Sequence, residues 1–470
     1  MRKTKIVCTL GPATDSEEMI EALCHAGMNV ARLNFSHNTH EDHKKRIDLV
    51  KKVRERLQLP IAIMLDTKGP EFRIKTFRDG SVILREGDTF TFTSRETEGD
   101  QTVVSVNYKE LPNELSVGDK ILLCNGLLSF EVTEIKDEDI ICKVIVGGEL
   151  SNRKSMSFPG KVMHQTYLSE QDKEDIRFGV ENDVDFIACS FVSRKQDLLD
   201  VSEYLKSIGA EGVELIAKIE NQSGFDNIEE ILDTCDGIMV ARGDMGVEIP
   251  YEQLPYIQKK LITKGRMHGK IVITATEMLE SMIHSPRPTR AEISDIANAV
   301  YDGTSALMLS GETAVGKYPV GAVEAMAKIA ESTECNINYV KRFANVDFET
   351  RSITDAVSHA TCTMAIDTHA RAIVACSLSG KTARMVSRFR SPIDIIGMTA
   401  DEKTWRKLSL SFGVVPAMCE IFTSSDVLFY TAKKTAERIL NAKKGDRIVI
   451  TGGVTTGESG NTNLIKIETV

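Results

Sequence analysis

Eight short apolar segments, most of them followed by a stretch with helical periodicity, constrain this chain more than any other feature. They span residues 5–10, 28–35, 61–67, 185–191, 214–220, 237–242, 270–276 and 305–310. Amphipathic stretches lie between most of them, for example 16–26, 39–56, 170–180, 194–208, 251–268 and 289–301. Near-continuous apolar strands alternating with helices belong in a parallel sheet covered on both faces. Eight such units imply an α/β fold of the (β/α)8 TIM-barrel type.

The alternation breaks once. From residue 70 to residue 166 the pattern becomes short strand-like runs, at 81–84, 89–93, 102–105, 120–123, 128–132 and 140–146. Turn signals punctuate them at Asp79–Gly80, Glu86–Gly87–Asp88, Val117–Gly118–Asp119 and Gly147–Gly148. This reads as a small β-barrel lid domain inserted after the third barrel strand. After Glu331 the sequence turns polar, and α/β alternation resumes with a helix at 353–368 and strands at 371–376, 394–398, 414–417, 447–450 and 463–467. The expected organisation is barrel over 1–69 and 167–346, inserted lid over 70–166, and an open α/β C-terminal domain over 347–470.

Composition narrows the partners. The chain has 470 residues and a net charge of −10, which disfavours general nucleic-acid binding, since phosphate backbones want excess Lys and Arg. No apolar run approaches the roughly 20 residues of a membrane helix, and the N-terminus lacks a secretory pattern. Ten scattered cysteines without a Cys-x-x-Cys pair suit a reducing, cytoplasmic setting without disulfides or zinc.

In a TIM barrel the chemistry sits where strands end. The second strand ends on Arg32, Asn34 and Ser36, the third on Asp66 and Thr67, and the fifth on Lys218 and Glu220. The sixth ends on Arg242, Gly243 and Asp244, the seventh on Thr276, and the eighth on Ser310 and Glu312. Period-two spacing places Arg32, Asn34 and Ser36 on one face, and Lys218 with Glu220 on one face. The expectation is that carboxylates Asp66, Glu220, Asp244 and Glu312 converge with Arg32 and Lys218. Carboxylates suit a hard cation such as Mg²⁺, and cationic side chains suit a phosphorylated anion. Together they suit phosphoryl transfer. Taken singly, Lys218 with Glu220 or Asp244 also reads as a structural ion pair, and Asn34, Ser36 and Thr67 as turn formers. It is their coincidence on one rim that carries the functional reading.

Longer motifs add a family. Arg32-Leu-Asn-Phe-Ser-His37, Leu65-Asp-Thr-Lys-Gly-Pro-Glu71, Ile219-Glu-Asn221, Val240-Ala-Arg-Gly-Asp244, Ala275-Thr276, Met278-Leu-Glu-Ser-Met282, Pro286-Arg-Pro-Thr-Arg-Ala-Glu292 and Met308-Leu-Ser-Gly-Glu-Thr313 resemble pyruvate kinase, over nearly the whole chain. The resemblance implies phosphoryl transfer from phosphoenolpyruvate to ADP, giving pyruvate and ATP. It implies Glu220 and Asp244 as ligands of Mg²⁺ or Mn²⁺, and Asn34, Ser36, Asp66 and Thr67 as a K⁺ site. Glu71 matches the acidic position that accompanies potassium dependence. Lys218 and Arg32 would neutralise the phosphoryl group. Gly243, Asp244 and Thr276 would hold the substrate carboxylate, and Thr276, with Ser310 nearby, lies in the proton-delivery region. Arg73, Lys154 and His37 would reach the nucleotide. The resemblance also implies a homotetramer.

In the C-terminal domain, Ser377, Ser379, Gly380, Lys381 and Thr382 follow a strand and open a helix. That arrangement reads as a phosphate cradle, which the resemblance assigns to a sugar-phosphate activator covered by the loop at 451–460. Several positions depart from the family. Leu123-Cys124-Asn125-Gly126-Leu127 lacks the two usual acidic residues of the lid, and 161–167 lacks the usual apolar, proline-containing return. Asn38 stands for a common Gly, where Asn tolerates positive φ best. Glu277 stands for Gln beside Thr276, and Ser223 for an acidic residue. Two other readings remain at this point: a non-catalytic regulatory paralogue that binds phosphorylated metabolites, and a Mg-dependent barrel lyase acting through a pyruvate enolate.

Overall fold

The eight apolar segments close into a parallel barrel. Its strands are Lys5–Thr9, Val30–Asn34, Ala62–Asp66, Phe186–Cys189, Glu214–Ile219, Gly237–Ala241, Ile271–Ala275 and Ala306–Leu309, each paired with its sequence neighbours and the last with the first. The computed structural model describes residues 1–161, 163–345, 348–421, 424–453 and 462–470. Side-chain alternation divides each strand between two cores. Val30, Ala62, Met64, Phe186, Ile216, Met239 and Ile273 fill the interior. Ala31, Leu33, Ile63, Leu65, Ala217 and Ile219 face the helices. The same period of two carries Val30 on to Arg32, Met64 on to Asp66 and Ile216 on to Lys218. Polar side chains therefore cap the interior at the end where the strands finish.

The helices begin where short polar side chains can cap them. Ser16, Thr39, Ser169 and Thr289 each accept from the backbone N–H three residues on, and the last three form reciprocal boxes with Asp42, Asp172 and Glu292. Such caps satisfy N–H groups that the helix itself leaves open.

The segment between the third and fourth barrel strands folds on its own core. Seven strands form one sheet and two form another. Phe90, Phe92 and Phe130 meet edge-on or tilted at its centre. Strands Ser81–Leu84, Thr89–Thr93 and Lys120–Leu123 stand where the pattern places them, and the hairpin arms extend to Leu128–Lys136 and Asp139–Val146. Three short strands were not read from the sequence: Phe72–Arg73, Gly148–Ser151 and Ser155–Ser157. Gly148, read as part of a turn, instead opens one of them, pairing with Leu84. At two to four residues these strands offer too little alternation to register.

The C-terminal domain is a five-stranded sheet, in the order Val414–Met418, Ile395–Thr399, Ala372–Cys376, Arg447–Gly452, Leu464–Thr469. Only the last strand runs antiparallel. The domain docks on the barrel floor through charged pairs. Arg384 reaches Glu214 at 2.7 Å to both oxygens, and Arg406 reaches Asp185 and Asp183 at 2.8 Å. Leu410, fully buried, enters the barrel's interior cluster from below.

Candidate active site

At the barrel mouth, Lys218 is held among three partners. Its Nζ lies 3.1 Å from Asp66 Oδ1 and 3.0 Å from Glu220 Oε1, and it donates to Ser190 Oγ at 2.7 Å. Arg32 Nε donates to the other Asp66 oxygen at 2.6 Å, and its Nη1 donates to Thr9 Oγ1 at 2.8 Å. Asp66 and Glu220 are fully buried. Burial works against the Lys218 charge, but Asp66 and then Glu220 outweigh it and hold the ammonium above the usual lysine range. Burial also opposes the Asp66 charge, yet Arg32 and Lys218 keep that carboxyl below its ordinary value. Glu220 has only one full cation beside it, and burial lifts it to about 7.

Two of these carboxylates have unused capacity. Glu220 Oε2 accepts from Phe191 N–H at 2.5 Å, whereas Oε1, despite its ion pair with Lys218, is buried without a hydrogen bond. Asp244 is exposed and makes no side-chain hydrogen bond or ion pair among the described residues. It acts on both Lys218 and Glu220 through its charge. A hard divalent cation uses one or two protein carboxylates and fills its other positions with substrate oxygens and water. Glu220 and Asp244 fit that donor set. Among the described residues no group of three His, Cys, Asp or Glu forms a protein-only metal cage.

The next wall of the site is a strained turn. Thr276 and Glu277 have φ of +69° and +53°, unfavourable above all for a β-branched threonine. Thr276 Oγ1 accepts from Gly243 N–H at 2.7 Å and donates to Ala275 O at 2.6 Å. Arg242 clamps the turn from outside. It donates to Ala275 O at 3.2 Å and Thr276 O at 2.7 Å, and pairs with Asp295 at 2.7 Å. Asp244 and Gly243 stand at the start of helix Arg242–Glu248, where the Gly243 N–H is taken by Thr276 and the next ones have no acceptor within the helix.

The remaining expected residues fall into separate settings. Asn34 is paired in register with Asp66, and its side chain accepts from Ser36 N–H at 3.1 Å. Ser36 itself lies past the strand end in an exposed turn, so the shared face ends at Asn34. Asn38 in that turn has φ of +69°. Thr67 accepts from Ser190 N–H at 3.2 Å, and its carbonyl accepts from Ser190 Oγ at 2.6 Å. Arg73 forms a two-pronged pair with Glu71, at 2.8 and 2.6 Å, and also donates to Arg153 O. Lys154 and His37 are exposed. Glu312 does not join the cluster. Its carboxylate accepts from Leu279 N–H at 2.9 Å and Ser310 N–H at 2.7 Å, and so ties two loops together. In the C-terminal loop Ser379 and Lys381 are exposed and Ser377 is half-buried. Gly380 takes φ of +75°, and Thr382 is buried against Thr462 at 2.7 Å. Residues 454–460 of the covering loop lie outside the described residues.

Sequence reasoning missed three contributors. Ser190 bridges Lys218, Asp66 and Thr67, and only its place at the end of the fourth strand marks it. Phe191, with φ of +56°, turns its N–H onto Glu220. Glu248 faces the lid's Ser157 and the backbone of Phe158. A cavity of about 260 Å³ between lid and barrel reaches Asp244, Asn221 and Glu248, beside the Lys218 cluster rather than over it.

Comparison with known proteins agrees with this architecture. Residues 1–323 match the family described as pyruvate kinase, barrel domain, and residues 355–468 match pyruvate kinase, alpha/beta domain. Pyruvate kinases of Staphylococcus epidermidis and Staphylococcus aureus are 48% identical over 473 aligned residues, covering 100% of this chain and 81% of theirs. The crystal structure of a pyruvate kinase from Cryptosporidium parvum superposes with a TM-score of 0.95 at 36% identity, covering 100% of this chain and 96% of that one. Fold, site and relatives define a phosphotransferase built on a TIM barrel with a separate C-terminal α/β domain. The chain belongs to the pyruvate kinase family.

Proposed function

We propose that the chain transfers the phosphoryl group of phosphoenolpyruvate to ADP, releasing pyruvate and ATP, in the cytoplasm. The observation that carries this is the buried Lys218 ammonium, held between Asp66 and Glu220 at the barrel mouth with an open carboxylate, Asp244, beside it. Glu220 and Asp244 would hold Mg²⁺ or Mn²⁺. Asn34, Ser36, Asp66 and Thr67 would hold K⁺; Asn34 and Asp66 stand in register on neighbouring strands. When bound, these cations supply charge neutralisation around the phosphoryl group.

Lys218 supplies a compact positive charge that can follow the phosphoryl group as its bond to the enol oxygen breaks and a bond to the terminal ADP oxygen forms. Arg32, fixed by Asp66 and Thr9, adds a second charge from the barrel wall. The N-terminal N–H groups of helix Arg242–Glu248 and the Thr276 turn would orient the substrate carboxylate. The enolate left behind takes a proton at carbon, on the side where Thr276 stands. Arg73, Lys154 and His37 would approach the nucleotide from the lid and the adjoining loop. The lid over 70–166 would close over the mouth between the two parts of the barrel, 1–69 and 167–346, and exclude water that would otherwise take the phosphate.

The C-terminal domain, 347–470, would bind a sugar-phosphate activator through Ser377, Ser379, Gly380, Lys381 and Thr382. Exposed Tyr251, Tyr256 and Tyr301 on the barrel, with Ile353, Ile421 and Tyr430 on the C-terminal domain, support a homotetramer assembled through both faces. No helix among the described residues is long and apolar enough to cross a membrane.

Pyruvate formation from phosphoenolpyruvate and ADP, with Mg²⁺ and with or without K⁺, tests the reading. Turnover that needs both cations is expected. Turnover without ADP would favour a lyase. None from folded, metal-loaded protein would favour a non-catalytic binding subunit.

A further inference from the structure

Three guanidinium groups close around one glycine on the underside of the barrel. Gly303, with φ of +96°, ends helix Arg290–Asp302. Arg390, from the C-terminal domain, donates to its carbonyl from Nε and Nη2 at 3.1 and 3.0 Å. Arg342, on helix Tyr339–Ala344, donates to Tyr301 O two residues earlier. Arg266, near the end of helix Leu254–Met267, completes the ring. A Cβ added at Gly303 would stand 3.6 Å from Arg266 Nη1 and 3.8 Å from Arg342 Nη1.

Among the described residues, none of the three is ion-paired with a carboxylate. Arg390 spends its donors on Gly303 O, Ser387 and Ser305. Arg266 makes no side-chain hydrogen bond or ion pair, and its Nε is buried. The Tyr339 ring lies under the Arg342 guanidinium, 6.0 Å from ring centre to guanidinium carbon, and its hydroxyl is buried and also without a hydrogen-bond partner. Asp302, the carboxylate that acts on Arg342, is already taken by Lys259 and Gln258.

The helix end accounts for part of this arrangement. Its exposed carbonyls carry about half a negative charge, against three guanidiniums that keep their protons at neutral pH. About two and a half positive charges remain where water is partly excluded, and buried charge without a counterion is costly. The arginine pKa values carry the same sign. Burial first, and neighbouring arginines second, draw Arg266 and Arg390 down from the ordinary value.

We propose that Arg266, Arg342 and the Tyr339 hydroxyl form a binding site for a small oxyanion of the phosphate class. Two forked donors suit a tetrahedral anion, and a doubly charged one offsets most of the remaining charge, with Arg390 as the fixed floor. The site joins a barrel helix, the connecting helix and the C-terminal domain. It is separate from the barrel mouth and from the loop at 377–382.

Crystals of the full chain soaked in selenate, an anomalous mimic of phosphate, would locate every oxyanion site at once. A peak bridging Arg266 and Arg342 is expected. In calorimetry with inorganic phosphate, Arg266→Gln or Arg342→Gln should bind one phosphate fewer per chain, or bind at this site at least about tenfold more weakly. Arg266→Lys should recover part of the loss, and the other phosphate sites act as internal controls. Repeating with glycerol 3-phosphate separates free phosphate from a phosphomonoester as the natural source. The proposal fails if selenate marks other sites while this one stays empty. It fails equally if both glutamine variants bind phosphate as the wild type does, or if a carboxylate of a second copy of the chain is found seated on the arginines.

Discussion

Removing the Lys218 ammonium would leave Asp66 with Arg32 alone and Glu220 with no cation. Both the chemistry and the local electrostatics depend on that one charge. Lys218→Met should lower kcat about 10²–10³-fold, with the fold checked by circular dichroism; an unchanged kcat would remove Lys218 from the reaction. Arg242 offers a subtler test, because it acts on the site through the backbone of the Thr276 turn. Positive φ at Thr276 and Glu277 stores roughly 1–3 kcal/mol each, and Arg242 is the group that donates to the carbonyls of that turn. Arg242→Gln should therefore weaken kcat/KM about 10–100-fold, and Arg242→Lys less so. A loss of thermal stability with kcat/KM intact would make Arg242 merely structural. At this scale Arg32, Asp66, Lys218 and Glu220 were legible because period-two alternation puts them on one face at a strand end. Ser190 was not legible, since a lone serine after an apolar run carries no distinguishing signal. Glu312 misled, because a carboxylate at a strand end can equally bind backbone N–H groups.

Whole elements were more legible than single roles. Eight barrel strands and their helices announce themselves by apolar runs and 3.6-residue periodicity, and caps such as Thr39 and Asp42 fix where helices start. The lid's shortest strands do not, since Phe72–Arg73 and Ser155–Ser157 owe their place to partners across the sheet. Those two strands also bring the lid against the barrel. Ser155–Ser157 and Phe158 face Glu248, at the end of the helix that carries Asp244. Burial raises the Glu248 carboxyl to about 6, above its ordinary value of 4.5. A carboxyl raised on folding binds its proton more tightly in the folded state. Its contribution is therefore complete below pH 4.5 and is lost as pH rises through 6. Glu248→Gln should abolish that dependence. Melting temperatures of wild type and variant should run parallel below pH 4.5, and the wild type should fall behind between 4.5 and about 6.5. Curves that stay parallel throughout would mean that the lid contact does not use this carboxyl.

For the molecule as a whole, the question is what fastens the C-terminal domain to the barrel floor. One fastening is apolar. Leu410 fills the lower end of the barrel interior beside Val7, Val30 and Ile271, and Leu410→Ala should cost about 2–5 kcal/mol in urea unfolding. The other is electrostatic, at Glu214, the first residue of the fifth strand. Arg384 binds both its oxygens, Lys407 lies 3.2 Å away, and Glu214 and Lys407 are buried while Arg384 is partly so. Glu214→Gln would leave one buried and one partly buried cation facing a neutral amide, a loss of about 3–5 kcal/mol. The two variants can be told apart by pH. Burial opposes the Glu214 charge, but Arg384 and Lys407 hold its carboxyl below the ordinary value of 4.5. A carboxyl lowered on folding stabilises fully above its unfolded pKa and loses that contribution as pH falls through the folded one. The gap between wild type and Glu214→Gln should stay constant above pH 4.5 and narrow below it, whereas the Leu410→Ala gap should not narrow in the same way. A Glu214→Gln gap that persisted unchanged into acid would mean that the carboxylate fills space at the interface without binding its two cations across it.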